Sequence, residues 1–493
     1  MPNPKPSALR LYNTLHKKEE EFIPITPGKV LMYSCGPTVY GRPHIGNYSS
    51  YLMADLLRRW LEVLGYEVTH AKNITDVGHL LHDADEGDDK IEKQAKKEKL
   101  DPLEIARKYE TQFLEDEKAL HILEPAARPR ATETIAEMLA IIRVLLEKGI
   151  AYEIADGIYF AVEKFRTYGA LSGNTIETLN SGARVEEREG KHHSADFALW
   201  KKCVGPNALH SLRWNYTTGE RVYSEGEDAT AGFPGWHIEC SAMSRKFLGE
   251  QIDIHTGGED NIFPHHECEI AQSESSSSIK PFVRYWVHRR FIQMGEEKMS
   301  KSLGNVLNLP DIVANGFDPM DLRYYLLSVH YRTQLKFTER GLDDARKARR
   351  KILEWMSEER KEREERKERK EGEENPLTTW REKFMSAMNA DLNTPAALAV
   401  VFDLMTWSRN QSSWTSSSLL ELKELAAMVR ATFGCFDPEA GVDASAKVLE
   451  LLAKRSEARK AKDYRLSDQL RDAIRTEGYE VRDAGDEQEL KKL

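Results

Sequence analysis

The stretch VLMYSCGPTVYGRPHIGNYSSYLMADLLRRWLEVLGYEVTHAKNI, residues 30–74, decides the fold. Residues 30–35 are a short apolar run that reads as a buried strand, stopped by Gly36-Pro37. Leu52, Met53, Leu56, Leu57, Trp60, Leu61 and Leu64 then recur at helical spacing until Gly65 ends the pattern. Residues 67–74 return to strand character. Strand, glycine-bearing turn, helix and strand in this order predict a parallel βαβ unit.

Outward from this unit, residues 101–148 carry a helical pattern. Residues 151–223 mix short strand-like pieces, 158–162 and 197–200, with glycine and charged loops, and read as an insertion. A second α/β segment opens with a strand at 251–255 running into Thr256-Gly257-Gly258, and another apolar segment covers 282–294. After Asn305 the chain reads as mostly helical. Residues 358–374 are almost entirely Glu, Lys and Arg, the composition of a solvated helix extension or hairpin tip. Ser275 to Ser278 closes the preceding helix, and residues 437–493 form a last segment with a basic helical pattern and a strand-like 479–482.

The 493 residues are too many for one core, so about three domains are expected. The first nine residues lack the apolar segment of a secretory signal, and no apolar run is long enough to span a bilayer. The expected compartment is the cytoplasm. Five cysteines, Cys35, Cys203, Cys240, Cys268 and Cys435, form no CxxC pair, which argues for free thiols, packing or metal ligation. A net charge of −10 argues against nonspecific coating of nucleic acid, while a local basic face stays compatible with it.

Two motifs suit phosphate. Pro43-His44-Ile45-Gly46-Asn47 lies where the first strand turns into the first helix. A helix N-terminus offers unpaired N–H groups and partial positive charge. Gly46 removes a Cβ that would obstruct a base or ribose, and His44 can donate to a phosphate oxygen. Lys298-Met299-Ser300-Lys301-Ser302 follows an apolar strand in a polar loop, where two lysines can neutralise charge on a leaving pyrophosphate.

A third constellation is soft-ligand chemistry. Cys35 ends the first strand, Cys240 closes Gly235-Trp236-His237-Ile238-Glu239-Cys240, and His265, His266, Cys268 and Glu269 crowd the start of a predicted helix. His265 and Glu269, four apart, share a helical face, and zinc accepts Cys, His and carboxylate ligands. Spacing alone leaves buried packing open as the alternative.

The paired phosphate motifs resemble the signature sequences of class I aminoacyl-tRNA synthetases. The second is matched in full, and the first departs only at Asn47, where the family has histidine. A longer resemblance, to cysteinyl-tRNA synthetases, covers nearly the whole chain. It runs through Leu11-Tyr12-Asn13-Thr14, Tyr33 to Tyr40, Asn73-Ile74-Thr75-Asp76 and Gly235 to Met243, and is densest at Phe263 to Ser273. It implies a Rossmann-like α/β catalytic domain with an inserted connective domain, then a helical bundle and a small anticodon-binding domain. The expected boundaries are a first catalytic half at 1–125, the insertion at 126–225 and a second half at 226–297. The lysine-loop and stem-contact region follows at 298–342, the bundle at 343–436 and the anticodon-binding domain at 437–493.

The resemblance implies a cysteine–tRNA ligase that uses ATP with Mg²⁺, one zinc ion per chain, L-cysteine and tRNA-Cys, and works as a monomer. It implies Cys35, Cys240, His265 and Glu269 as zinc ligands, with His266 as the rival within the helix and Cys268, usually Asn in the family, as a neighbour. Cys35, Thr75 and Trp236 would line the cysteine pocket. His44, Gly46, Asn47, Lys298 and Lys301 would hold ATP, with Asp260 on the ribose, and His44, Asn47, Lys298 and Lys301 would act in the transition state. Asn389-Ala390-Asp391-Leu392-Asn393-Thr394-Pro395 matches the family's bundle. Basic residues Lys454, Arg455, Arg459, Lys460, Lys462, Arg465 and Arg471 mark the region that meets the anticodon. A ligase joining cysteine to an amino-sugar shares the catalytic core but lacks a full anticodon-binding end. A noncatalytic descendant would have lost the lysine loop or a metal ligand. A synthetase for another amino acid would not carry the four metal-ligating residues together.

Overall fold

The computed structural model describes residues 8–78, 89–175, 190–224, 226–295, 297–298, 306–361, 376–411, 414–437, 445–484 and 487–492. The chain divides into two units, 1–435 and 436–493.

At the centre of the first unit lie four parallel strands: β1 (Lys29–Ser34), β2 (Glu67–Lys72), β3 (Ile252–Gly258) and β4 (Val283–Arg289), in the order β4-β3-β1-β2. Helix α1 (Ile45–Val63) links β1 to β2, α2 (Trp236–Leu248) precedes β3, and α3 (Glu267–Ser277) links β3 to β4. Val30, Met32 and Tyr33 of β1 are buried, as are Leu52, Leu57, Trp60 and Leu61 of α1. Covered strands of this kind carry near-continuous apolar runs, which is why β1 reads so clearly. Because the chain leaves β1 toward one edge and β3 toward the other, the crevice at their carboxyl ends is a topological switch point, where ligands bind in open α/β sheets. Cys35 and Thr256-Gly257-Gly258 stand there.

The insertion is a six-stranded sheet from Ala151–Ile154 to Asp228–Pro234, with neighbouring strands antiparallel. The boundary read at 225 falls inside it. Strand Asp228–Pro234 pairs on both sides, with Phe197–Cys203 and with Arg213–Asn215. Its sequence, DATAGFP, lacks the β-branched alternation that would announce a central strand. The apolar segment 282–294 is likewise two strands: β4 ends at Arg289, and Ile292–Met294 joins another sheet beside Leu335–Phe337.

Helices Glu339–Lys361, Pro376–Asn389, Thr394–Arg409 and Ser416–Phe433 form the bundle; the charged segment beyond residue 361 and up to 375 lies outside the described residues. Two residues of the Asn389–Pro395 stretch anchor the bundle to the catalytic core. Asn389 Oδ1 accepts from Trp60 Nε1 of α1 at 2.9 Å. Asp391, held at φ +57°, accepts from Tyr12 N–H, the Tyr331 hydroxyl and Arg332 Nε.

A buried charge cluster fixes the back of α1. Asp55 accepts from Arg59 Nε at 2.7 Å, from Leu123 N–H at 2.8 Å and from the fully buried Arg323. Arg323 also donates to the carbonyls of Leu120 and Phe433. Burial alone would raise Asp55, but Arg323 and Arg59 hold it down at about 2. Its charge therefore stabilises the fold above the unfolded carboxylate range, and that contribution is lost as pH falls from about 4 toward 2. Arg323→Met, which removes one of two guanidinium partners of the buried Asp55 and the donor to two carbonyls, should cost about 3–5 kcal/mol in denaturant unfolding. A change below about 1 kcal/mol, the size of an exposed ion pair, would show the cluster to be dispensable.

The second unit comprises helices Ala446–Lys460 and Tyr464–Thr476 and the hairpin Tyr479–Ala484 with Glu487–Lys492, around Val448, Ile474, Tyr479 and Val481. Arg455, one of the basic residues of the region expected to meet the anticodon, is buried and donates to Gln488. Lys454 pairs with Glu450 and Arg471 with Asp468. No helix among the described residues is long and apolar enough to cross a membrane.

Candidate metal centre and active site

The four soft ligands are delivered by three parts of the fold. Cys35 is the first residue beyond β1. Its neighbour Gly36 must be glycine, since a Cβ there would stand 1.7 Å from the Asn73 carbonyl oxygen. Cys240 lies in the second turn of α2, and His265 and Glu269 project one turn apart at the start of α3. One ligand atom from each of Cys35, Cys240, His265 and Glu269 lies within 4.8 Å of the others. The two Sγ atoms are 3.9 Å apart, and His265 Nε2 is 3.1 Å from Glu269 Oε1. Two thiolates on a tetrahedral zinc at ~2.3 Å would stand about 3.8 Å apart. The donor set and its spacing fit such an ion.

A second group, Cys35, His255, His266 and Glu269, overlaps the first. His255 Nε2 lies 3.1 Å from Glu269 Oε2, so each Glu269 oxygen faces a different histidine. His266 Nε2 is 3.3 Å from Cys35 Sγ, while its Nδ1 bonds His288 Nε2 at 2.8 Å, and His288 in turn bonds Thr14 Oγ1. His265 is oriented by His237 Nδ1 at 3.1 Å and by Trp236, which stacks on it with ring centroids 4.2 Å apart. Partners that fix ring orientation in this way are what a metal-ligating histidine requires. Cys268 points elsewhere, toward the Tyr168 hydroxyl at 3.4 Å.

Burial pushes the Cys35 and Cys240 thiols up, most strongly at Cys240. Burial opposes the charge on Glu269 too, yet His255 and His265 bring it down to about 2. His265 is carried up to about 10 against burial by Cys240 and Glu269. Positive charge is thus favoured at His265, whereas burial and the neighbouring histidines push His266 well down.

Trp236 borders the site by stacking on His265, and Thr75 reaches Glu239, the residue before Cys240. Trp236 is half-buried, and Thr75 is buried, donating to Glu239 Oε2 at 2.9 Å. Burial raises the Glu239 carboxyl well above its ordinary range, and either protonation state keeps an acceptor oxygen.

At the α1 N-terminus His44, Gly46 and Asn47 are all half-buried. Asn47 Oδ1 accepts from the His44 backbone N–H at 3.0 Å, closing a capping box across the first turn. That bond commits the amide oxygen and leaves the NH₂ group as a donor. The segment after the lysine loop is pinned here: Ile45 N–H donates to the Leu307 carbonyl at 2.9 Å, and His44 bridges Asn308. Lys298 belongs to a strand pairing with Gln293, while Lys301 lies outside the described residues. Asp260 is exposed on the turn beyond β3.

Sequence reasoning misses His255, His288, His237 and Glu239 as site residues. The first two lie within strands, where a histidine looks like any other covered residue. The available signal is histidine density: His237, His255, His265, His266 and His288 all fall in one stretch of the chain. Only the fold shows that they converge.

The matched family models are tRNA synthetases class I (C) catalytic domain over residues 21–347, the DALR domain over 383–436 and the cysteinyl-tRNA ligase anticodon binding domain over 442–490. Cysteine–tRNA ligase of Chlorobium chlorochromatii is 41% identical, covering 97% of this chain and 98% of that protein. A cysteine–tRNA ligase of Thermus thermophilus is 42% identical over 96% of this chain and 97% of its own. The fold resembles Mycobacterium tuberculosis methionyl-tRNA synthetase in complex with methionyl-adenylate, with TM-score 0.58 and 15% identity over 86% of this chain and 94% of that one. It also resembles Agrobacterium radiobacter K84 agnB2 LeuRS in a ternary complex, with TM-score 0.61 and 12% identity over 84% and 85% of the two chains. The chain belongs to the cysteine–tRNA ligase family of class I aminoacyl-tRNA synthetases.

Proposed function

We propose that the chain activates L-cysteine with ATP and Mg²⁺ and transfers it to the 3′ end of tRNA-Cys, with one zinc ion selecting the substrate. The proposal includes a cytoplasmic monomer. The observation that carries the zinc assignment is the convergence of Cys35, Cys240, His265 and Glu269 within 4.8 Å at the switch point. Zinc held there would favour the substrate sulfur as thiolate over a serine hydroxyl. Shape alone would separate two such similar side chains by only about 1–3 kcal/mol.

The cysteine carboxylate then attacks the α-phosphorus of ATP with release of pyrophosphate, and a terminal ribose hydroxyl of tRNA takes the acyl group from the adenylate with release of AMP. Positioning and charge stabilisation dominate such a displacement. His44, Gly46 and Asn47 hold the nucleotide at the α1 N-terminus, Asp260 meets the ribose, and Lys298 and Lys301 meet the polyphosphate. Trp236 and Thr75 enclose the amino acid, and the basic surface of the second unit meets unpaired anticodon bases.

The Asn47 amide separates two roles. Asn47→Ala should lower unfolding free energy by about 1 kcal/mol through the lost cap and also raise the KM for ATP. Asn47→Asp keeps the acceptor for His44 N–H, so stability should return while the ATP defect persists. Recovery of ATP affinity in the aspartate variant would remove Asn47 from nucleotide binding.

A further inference from the structure

Thr75 is tied into a hydrogen-bond chain that runs from Gly36 through Asn73 to Glu239. Asn73 Oδ1 accepts from Gly36 N–H at 2.7 Å, so the amide nitrogen is the atom that faces Thr75, donating to Oγ1 at 3.1 Å. The Thr75 hydroxyl accepts that bond and gives its own proton to Glu239 Oε2 at 2.9 Å. Asn73, Thr75 and Glu239 are all buried, so water does not compete for these groups. The chain starts beside Cys35 and ends beside Cys240. Glu239 belongs to neither metal-holding group, and its Oε1 has no hydrogen-bond partner among the described residues.

With Glu239 Oε2 as the acceptor, the Thr75 hydroxyl has one lone pair left and no proton to give. It can meet a donor and cannot meet an acceptor. Cysteine offers, besides its sulfur, an ammonium that only donates and a carboxylate that only accepts. We propose that Glu239 is a positioning residue: by taking the Thr75 proton it presents Thr75 to the substrate as an acceptor, so that this wall of the pocket selects the α-ammonium. Thr75 makes the contact and Glu239 acts through it. The proposal rests on the cysteine-activating reading above.

The test uses the full-length, zinc-loaded protein and two ligands that differ at the α-carbon. One is L-cysteine, followed by its KM in pyrophosphate exchange. The other is 3-mercaptopropionate, which keeps thiol and carboxylate but has no ammonium, followed by its inhibition constant. Glu239→Met should raise the cysteine KM about 10- to 100-fold, the effect of losing a hydrogen bond to a charged group. The 3-mercaptopropionate constant, the ATP KM and the zinc content should stay unchanged. Glu239→Gln, which restores a carbonyl acceptor for Thr75, should recover most of the loss. Equal weakening of both ligands, or loss of zinc, would overturn the proposal in favour of a packing role. Should Glu239→Met fail to fold, Thr75→Val supplies the same comparison: a selective loss for cysteine supports the proposal and an unchanged ligand ratio overturns it. Wild-type protein that carries zinc yet shows no cysteine-dependent exchange would instead refute the underlying reading, and this proposal with it.

Discussion

Replacing Cys240 by alanine is expected to strip the metal and abolish cysteine-dependent pyrophosphate exchange while the protein remains folded. The substitution removes one of two thiols 3.9 Å apart, and no other described cysteine reaches the group, since Cys268 faces Tyr168. Without the second sulfur the remaining set could draw on His255 and His266, which already group with Cys35 and Glu269. Residual, weakened metal binding in the variant would therefore be read as capture by that second group. Full zinc content would remove Cys240 from the ligand set. The fold should survive because α2 is also anchored by apolar residues, Ile238, Ala242 and Met243, packed in the main core.

Lys301→Ala should slow adenylate formation about 10²- to 10³-fold, the range for losing one group aimed at developing charge, while cysteine binding changes little. Rapid-quench measurement of adenylate alongside equilibrium cysteine binding separates the two. An unchanged exchange rate would exclude Lys301 from the chemistry. Lys301 lies outside the described residues, so the expectation rests on its sequence motif and on where the neighbouring chain is held. Lys298, next to the motif, pairs with Gln293, and Leu307 and Asn308 lie against Ile45 and His44.

The catalytic sheet is legible in the sequence because its strands are covered on both faces and α1 turns an apolar side to them, so burial is written into residues 30–74. Strand Asp228–Pro234 is not legible. Its place is set by two flanking strands rather than by its own residues. The break at Arg289 is hidden by apolar residues on either side, although the Arg289 side chain marks it: it donates to Ser49 Oγ at 2.7 Å and to the His330 carbonyl at 3.0 Å.

Of the metal group, spacing alone offers His265 with Glu269 and leaves His266 and Cys268 open. Cys35 and Cys240 are 205 residues apart, and before the fold only family resemblance joins them. The histidines around them are beyond sequence reasoning for a physical reason. A ring on a strand becomes a positioning group only when a neighbouring element presents its partner, as α3 does for His255 and the helical segment Ile262–His266 does for His288. Arg455 errs in the other direction: its charge suggests surface, yet Gln488 of the terminal hairpin holds it inside.

The central claim is that this chain charges tRNA-Cys with cysteine and that a metal held by Cys35, Cys240, His265 and Glu269 provides the selectivity. The most direct measurement charges a tRNA-Cys transcript with labelled cysteine and, separately, labelled serine, with zinc determined on the same sample. The account predicts one zinc per chain, charging with cysteine and none detectable with serine. Comparable charging with serine, or selective cysteine charging by metal-free protein, would contradict it; cysteine-dependent pyrophosphate exchange without tRNA charging would point to a small-molecule ligase.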